Sequence, residues 1–432
     1  MAVHPETAAF VRHDQLPPQD PPASEVGPMH WIRANLFSSI GHGAMTLIAL
    51  YCIYALLAAV VPWIWNGVWE ADSIRQCREI LDGKRGACFA VLTERWPQLL
   101  FGNYPAEHYD RASLAFVLLF VALAPVLFFD LPRKLLWFTG LFPFIAYWLI
   151  WGGSIWVPVL ALAGVVLGFF VYRALADRSF FGAIIAGIAA TLFFAIVMLG
   201  PVAGVLTSVL NISLDPVESR QIGGFMINFI LGTTCIALSL PLGIALALGR
   251  QSNLPIIKTI CVVFIEFIRG VPLITLLFVA SVMLAYFLPP GSNFDLILRV
   301  IIMITLFAAA YMAEAIRGGL SALPTGQYEA GASLGLDYWQ SMRLIILPQA
   351  LKISIPSIVN IAIGLFKDTT LVSIISMFDV LGMIGGPILS STEWFGVYWE
   401  LLGAAAVMFF IFCYGISQYS QYLERKLATD RR

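Results

Sequence analysis

Lys367-Asp368-Thr369-Thr370 puts four polar side chains in a row inside an otherwise apolar run, residues 353–375. Ionisable groups in such a run are expensive to bury, and they mark a polar path, a gate or a charge held by a partner. Neighbouring residues on a helix point in different directions, so Lys367 and Asp368 cannot simply neutralise each other. Each calls for a counterpart on another helix, another subunit or a charged solute. Two readings stand side by side. Lys367, Asp368, Thr369 and Thr370 line a path or gate, or they bond helix to helix as structural glue. Asn360 lies two turns before Lys367 on the same run and joins the set.

A second polar theme occurs twice, as Glu266-Phe-Ile-Arg269-Gly270 and as Glu314-Ala-Ile-Arg317-Gly318. Glu and Arg three residues apart share a helix face and can pair. Near the end of an apolar run Arg can carry its head group to water, so these read either as interfacial ion pairs or as parts of a gate or a substrate-contacting path. Cys77 and Cys88 enclose ten residues within a charged loop. In an oxidising compartment they would form a disulfide; spacing alone equally allows two free thiols. Cys52, Cys235, Cys261 and Cys413 fall in apolar runs and read as small core residues.

The residue patterns that would do covalent or metal chemistry are missing. No Gly-x-x-x-x-Gly-Lys-Ser/Thr sequence is present to hold a nucleotide phosphate. The histidines (His4, His13, His30, His42 and His108) all fall in the first quarter of the chain. No metal-ligand spacing occurs, and no nucleophile stands beside a base. The chain is expected to have no catalytic residues, no metal and no cofactor of its own.

What must position these residues is a set of long apolar runs. Of 432 residues, 59% are hydrophobic and 12% charged, with a mean hydropathy of +0.85, where about 25% charged is usual for soluble domains. Runs of about 18 residues or more recur, each able to cross ~30 Å of hydrocarbon as a helix. None alternates as the strands of a membrane β-barrel do. The fold class is an all-α polytopic membrane protein with about ten transmembrane helices. They are expected at 37–63, 114–129, 135–151, 155–175, 182–206, 223–249, 255–288, 294–316, 353–375 and 399–422. A net charge of −1 gives no electrostatic case for a nucleic-acid partner; the lipid bilayer is the partner that composition demands.

Lys and Arg in the short connections set the orientation. One side collects Arg133, Lys134, Arg173, Arg178, Arg250, Lys258, Arg317, Arg343 and Lys352, and the tail adds Arg425, Lys426, Arg431 and Arg432; the other side has Arg220 and Arg299. Both termini are therefore expected in the cytoplasm. Residues 1–35 read as an extended Pro-rich cytoplasmic tail, with no apolar core of the kind a cleaved signal needs. Residues 36–222 read as an accessory transmembrane region with an external loop at 64–112. Residues 223–432 read as the transport core, because charged residues and Gly-Pro breaks inside spans begin there. Pro272 has no amide to donate, so the 255–288 run is expected to break at Gly270-Val271-Pro272.

The long polar interruption of the C-terminal half runs from Tyr328 to Pro348, within a loop at 318–350 that the charge count places in the cytoplasm. Glu329-Ala330 is followed by Gly335 and, after nine intervening residues, by Ile345, Leu347 and Pro348. This resembles the EAA signature of ABC importer permeases, Glu-Ala-Ala, three residues, Gly, nine residues, Ile-x-Leu-Pro, with Gly331 standing where Ala is usual. Gly331 lowers helix propensity by roughly 1 kcal/mol, so the first helix of the loop would lean on a partner for order. Phe264 to Pro272, Tyr311 to Gly319, Pro324 to Glu329, Ile346 to Ala350 and Lys367 to Leu371 extend the resemblance to the polar amino-acid branch of that family. The resemblance covers about half the chain, and with its longer N-terminal half the chain resembles the larger permease subunit of the general L-amino-acid (Aap/Bzt-type) transporters.

The resemblance implies a type I ABC importer permease core of five helices at the C-terminal end, in a bacterial inner membrane. It implies docking of Glu329, Ala330, Gly331, Gly335, Ile345, Leu347 and Pro348 on a separate ATPase dimer that uses ATP and Mg. It also implies a second permease subunit in a heterodimer, a periplasmic amino-acid-binding protein, and an L-amino-acid substrate, with glutamate, glutamine, aspartate and asparagine as candidates. The competing class is a stand-alone secondary transporter or channel. That class also uses broken helices, but it leaves the EAA spacing as coincidence.

Overall fold

Nothing in a bilayer interior can hydrogen-bond an open peptide group, so a run that crosses it must satisfy its own backbone as helix. The computed structural model follows that rule, and it describes residues 27–128, 130–177, 180–283, 286 and 295–427. Most of the Pro-rich tail, Arg178, the far end of the 255–288 run, Arg431 and Arg432 lie outside the described residues. Among the described residues nine helices are long and apolar enough to cross a membrane, or ten if one bent pair counts as a span.

Two compact units divide the chain, residues 1–68 with 78–87 and residues 69–77 with 88–432. In the first, the extended tail expected over 1–35 gives way to α1 (Pro28–Leu36), opened by a proline whose fixed φ suits a first helical turn. Helix α2 (Ile40–Trp65) is capped by Ser39, which accepts from the His42 amide at 3.2 Å. None of its side chains is buried, which suits a helix whose surroundings are hydrocarbon. Paired amides follow it, Val68 to the Ala87 carbonyl at 2.8 Å and Ala87 to the Trp63 carbonyl at 2.9 Å.

The second unit holds the remaining spans. Cys77, on α3 (Ile74–Leu81), is joined by a disulfide to Cys88, with Cα atoms 5.9 Å apart. Helix α4 (Ala90–Phe101) follows, and this segment is fastened to the chain near residue 400. The Ile74 amide donates to the Glu393 carbonyl at 2.8 Å, Arg95 pairs with the Glu393 carboxylate at 2.8 Å, and the buried Cys88 amide donates to Glu400 Oε1 at 2.9 Å. Helices α5 (Tyr109–Leu127), α6 (Leu136–Trp151), α7 (Trp156–Leu175), α8 (Phe180–Phe193) and α9 (Leu199–Val209) come next. A two-residue antiparallel pair, β1 (Gly153–Ser154) with β2 (Ser213–Leu214), matches Gly153 with Leu214.

Then come α10 (Gly224–Arg250), α11 (Pro255–Gly270) and α12 (Leu273–Phe278). The break expected at Gly270–Pro272 is a 100° bend. Helices α13 (Leu296–Ser321), α14 (Thr325–Ser333), α15 (Tyr338–Ser341), α16 (Leu347–Asp368), α17 (Val380–Met383) and α18 (Tyr398–Leu427) complete the order. One buried cluster runs from α5 to α16: Ala112 and Ala115, Leu149 and Ile150, Ile227 and Leu231, Ile304 and Ala308, and Leu365. Where α4 ends against the start of α10 the backbones themselves touch. A Cβ on Gly102 would lie 2.5 Å from the Gly223 Cα, and one on Gly224 would lie 2.6 Å from the Gly102 amide nitrogen.

Candidate functional site

The polar interruption folds as two short helices joined by a tight turn. Gly335 makes the turn at φ +72°, a region open to glycine at little cost. The Leu336 amide reaches back to the Gly331 carbonyl at 3.3 Å. Asp337 then starts α15 with a reciprocal cap: the Gln340 amide donates to Asp337 Oδ1 at 2.8 Å, and the Asp337 amide donates to Gln340 Oε1 at 3.2 Å. Pro348 sits in the first turn of α16, where its missing amide costs nothing.

Gly331 now has a physical reason. It is buried, and a Cβ there would stand 2.6 Å from Ser341 Oγ, so glycine lets α14 lie against α15. The first helix of the loop leans on its own chain. Glu329, Ala330 and Gly335 are exposed, as are the larger apolar side chains of Leu334, Tyr338 and Leu344. Ile345 and Leu347 are half-buried. Beneath this face Met342 and Ile346 are buried with Ala247 of α10, Ile265 of α11, Ala313, Ile316 and Leu320 of α13 and Ala350 of α16. Gln349 ties the loop's two ends, donating to Gln327 Oε1 and to the Ile345 carbonyl, each at 3.0 Å.

The four residues of the repeated Glu-x-x-Arg theme meet at the adjoining ends of α11 and α13, around a fifth residue. Arg250, the last residue of α10, lies 2.8 Å from Glu266 and 2.8 Å from Glu314. Glu314 also takes Arg317 at 3.1 Å and Arg269 at 3.7 Å, and Arg269 reaches Glu266 at 3.9 Å. The Arg269 guanidinium lies over the Tyr311 ring, 5.5 Å from its centroid, while its Nε finds no hydrogen-bond partner among the described residues. Two carboxylates against three guanidiniums leave one positive charge in excess. Arg250 counts in the sequence as a loop charge, and its helix-terminal position gives no hint of two partners.

Lys367 and Asp368 close α16, and Thr369–Ile375 continues as a 3-10 helix. Lys367 lies 19 residues beyond Pro348, about 28 Å of helix at 1.5 Å per residue, so this turn stands at the end of the bundle opposite the loop. Lys367 is exposed in the single chain, Asp368 and Thr370 are half-buried and Thr369 is buried. Asn360 is exposed on α16 and enters neither cluster.

Two residues that the sequence did not single out complete this end. Asn228 donates to Thr369 Oγ1 at 2.9 Å and to Asp379 Oδ2 at 3.3 Å, and it accepts from the Val380 amide at 3.4 Å. Asp379 Oδ1 caps α17, taking the Gly382 amide at 2.9 Å. Asn228, Thr369 and Asp379 are each fully buried. Burial pushes the Asp379 carboxyl up to about 6, while the hydrogen bonds from the Gly382 amide and Asn228 hold it down. A single amide in an apolar helix and an aspartate ahead of an apolar turn were the available signals, the latter an ordinary helix-cap pattern.

With this geometry in place, likeness to other proteins carries weight. Residues 239–428 match the family described as binding-protein-dependent transport system inner membrane component. The glutamate/glutamine/aspartate/asparagine transport system permease protein BztC of Rhodobacter capsulatus is 52% identical over 432 residues, 98% of this chain and 99% of that protein. The inner membrane amino-acid ABC transporter permease protein YhdY of Escherichia coli is 36% identical over 96% of this chain and 97% of its own. The shorter glutamate/aspartate import permease protein GltK of Escherichia coli aligns at 29% identity over 97% of its length but 50% of this chain. The chain therefore belongs to the multi-pass inner-membrane permease subunits of amino-acid ABC importers.

Proposed function

We propose that this chain is the larger permease subunit of an importer for glutamate, glutamine, aspartate and asparagine, has no catalytic residue of its own, and works by alternating access. The solute assignment is supported by 52% identity over nearly the full length to a permease named for those four amino acids. A second permease subunit completes the pore as a heterodimer. An ATPase dimer, using ATP and Mg, does the work, and a periplasmic binding protein delivers the amino acid. Both termini and the EAA loop face the cytoplasm. Residues 223–432 are the transport core and 36–222 the accessory region, a division supported by the family match over 239–428.

The observation that carries coupling is the construction of the loop. Leu334, Tyr338 and Leu344 are exposed on it, while Met342 and Ile346 beneath are buried among residues of α10, α11, α13 and α16. A load applied at Glu329, Ala330, Gly331, Gly335, Ile345, Leu347 and Pro348 thus reaches α10, α11 and α13 through close-packed side chains, which transmit strain. Glu266, Arg269, Glu314 and Arg317, with Arg250, form the inner gate, and Lys367, Asp368, Thr369, Thr370 and Asn360 belong to the outer part of the path.

Reconstitution tests this reading. In proteoliposomes holding both permeases and the ATPase, uptake of labelled glutamate is expected only with ATP on the loop side and binding protein on the other. Glu329→Lys or Gly335→Asp is expected to reduce the ATPase that co-purifies. Uptake by this chain alone, driven by an ion gradient without ATP, overturns it.

A further inference from the structure

We propose that Asn228 is a positioning residue of the outer path: it fixes Lys367 and Asp368 by tying the start of α10 to the turn that follows them and to the cap of α17. The proposal rests on the reading of Lys367 and Asp368 as path residues. It begins with what surrounds them. Immediately before Lys367, Phe366 is buried in a group of rings with Phe225 and Phe229 of α10 and Phe409 of α18 at centroid distances of 5.4–6.1 Å. Immediately after Asp368, Thr369 donates its hydroxyl to the Phe366 carbonyl at 2.7 Å and accepts from Asn228. The two charged residues therefore sit between an apolar anchor and a polar one, and α10 supplies both.

The rings hold the helix by burial, which is non-directional. A hydrogen bond is directional, weakening steeply away from line, so Asn228 is what sets the rotation of the Lys367–Asp368 turn. The same amide group holds Asp379 and Val380, and one turn earlier the Gly224 amide donates to the Phe378 carbonyl at 2.8 Å. α10, the turn and α17 are thereby joined by side chain and backbone together. Such an arrangement is costly. A buried amide and carboxylate are expensive to strip of water, and apolar residues of similar volume would pack α10 without that penalty. What they could not do is choose one rotation.

Exchanging donor and acceptor tests the idea in the complete transporter. Asn228→Asp sets two carboxylates against each other and removes the donor to Thr369. The double variant Asn228→Asp with Asp379→Asn restores a donor–acceptor pair across the same gap and still accepts from Val380, and the Thr369 hydroxyl, which can rotate, re-forms the tie by donating to the new carboxylate. In proteoliposomes, Asn228→Asp is expected to cut glutamate uptake about tenfold at unchanged ATPase co-purification, and the double variant to recover most of it. A second readout does not depend on transport. With the four unbonded cysteines replaced by alanine, Lys367→Cys is labelled from outside by a membrane-impermeant thiol reagent. Asn228→Asp is expected to change that rate about threefold or more, and the exchange to return it.

An unchanged labelling rate in Asn228→Asp, or a double variant no better than the single one in either readout, overturns the proposal. If Lys367→Gln transports normally while the labelling still responds to Asn228, the path reading falls and the positioning role stands.

Discussion

At the loop end of α10, α11 and α13, two carboxylates and three guanidiniums share charge while keeping contact with solvent; their side chains are 17–53% exposed. At the other end Asn228, Thr369 and Asp379 are sealed, and the Asp379 carboxylate is held by amides. The difference is one of exchangeability. A half-exposed ion pair is worth little and water can replace either partner, so the Arg250 cluster can be rearranged at small cost. A buried network with every group satisfied is expensive to open at any one bond. The loop end is cheap to rearrange, and the far end is costly to open.

The largest expected effect comes from opening the sealed end. Asn228→Ala leaves Thr369, Asp379 and the Val380 amide each short of a partner, and is expected to cost about 3 kcal/mol, read by thermal unfolding in detergent. A loss below about 1 kcal/mol would contradict the network's rigidity.

Acidity gives the next contrast. Burial lifts the Asp379 carboxyl to about 6 from an ordinary value near 3.8, so between these values the folded chain holds more protons than the unfolded one. The contribution of this group to stability therefore falls as pH rises through that window and is recovered as pH drops through it. It amounts to at most on the order of 3 kcal/mol. Comparing melting temperature against pH for the native chain and Asp379→Asn isolates it; identical slopes would remove Asp379 from the account.

Glu314→Gln should come third. It leaves the guanidiniums of Arg250, Arg269 and Arg317 around a neutral group, and the expected loss is roughly 1–2 kcal/mol, reduced from buried-pair values because water reaches the site. The same variant should lose most of its difference from the native chain at high salt, whereas Asn228→Ala should not.

The smallest effect lies in the loop. Gly331→Ala gains about 1 kcal/mol of helix propensity but sets a methyl 2.6 Å from Ser341 Oγ, so ATPase co-purification should change little or fall slightly. Adding Ser341→Gly should then make the alanine favourable.

Much of this was legible in the sequence, for physical reasons. A polar loop among apolar runs stands out, so the position of the EAA segment and the break at Pro272 could be read directly. The Glu-x-x-Arg pairs were visible because i,i+3 spacing is local. Arg250 was not, since its partners are 16 and 64 positions away and any basic residue suits a helix end. Asn228 and Asp379 were still further from view. They are 151 residues apart, and each has a bland local explanation. The loop's Gly331, a departure from the usual pattern, acquired its reason only from the approach of Ser341.

The buried cluster that runs from Ala112 on α5 through Ile227 on α10 to Leu365 on α16 bears on how long and short permeases can be related. Shorter relatives align with about half of this chain. Trimming this chain to that length would strip Ile227 and Leu231 of their neighbours on α5 and α6 and take Gly102 away from Gly223 and Gly224, which would keep only their contact with the Phe378 backbone. A minimal version would thus have to be redesigned along that seam, with larger side chains on the exposed face of α10, before it could stand alone in lipid.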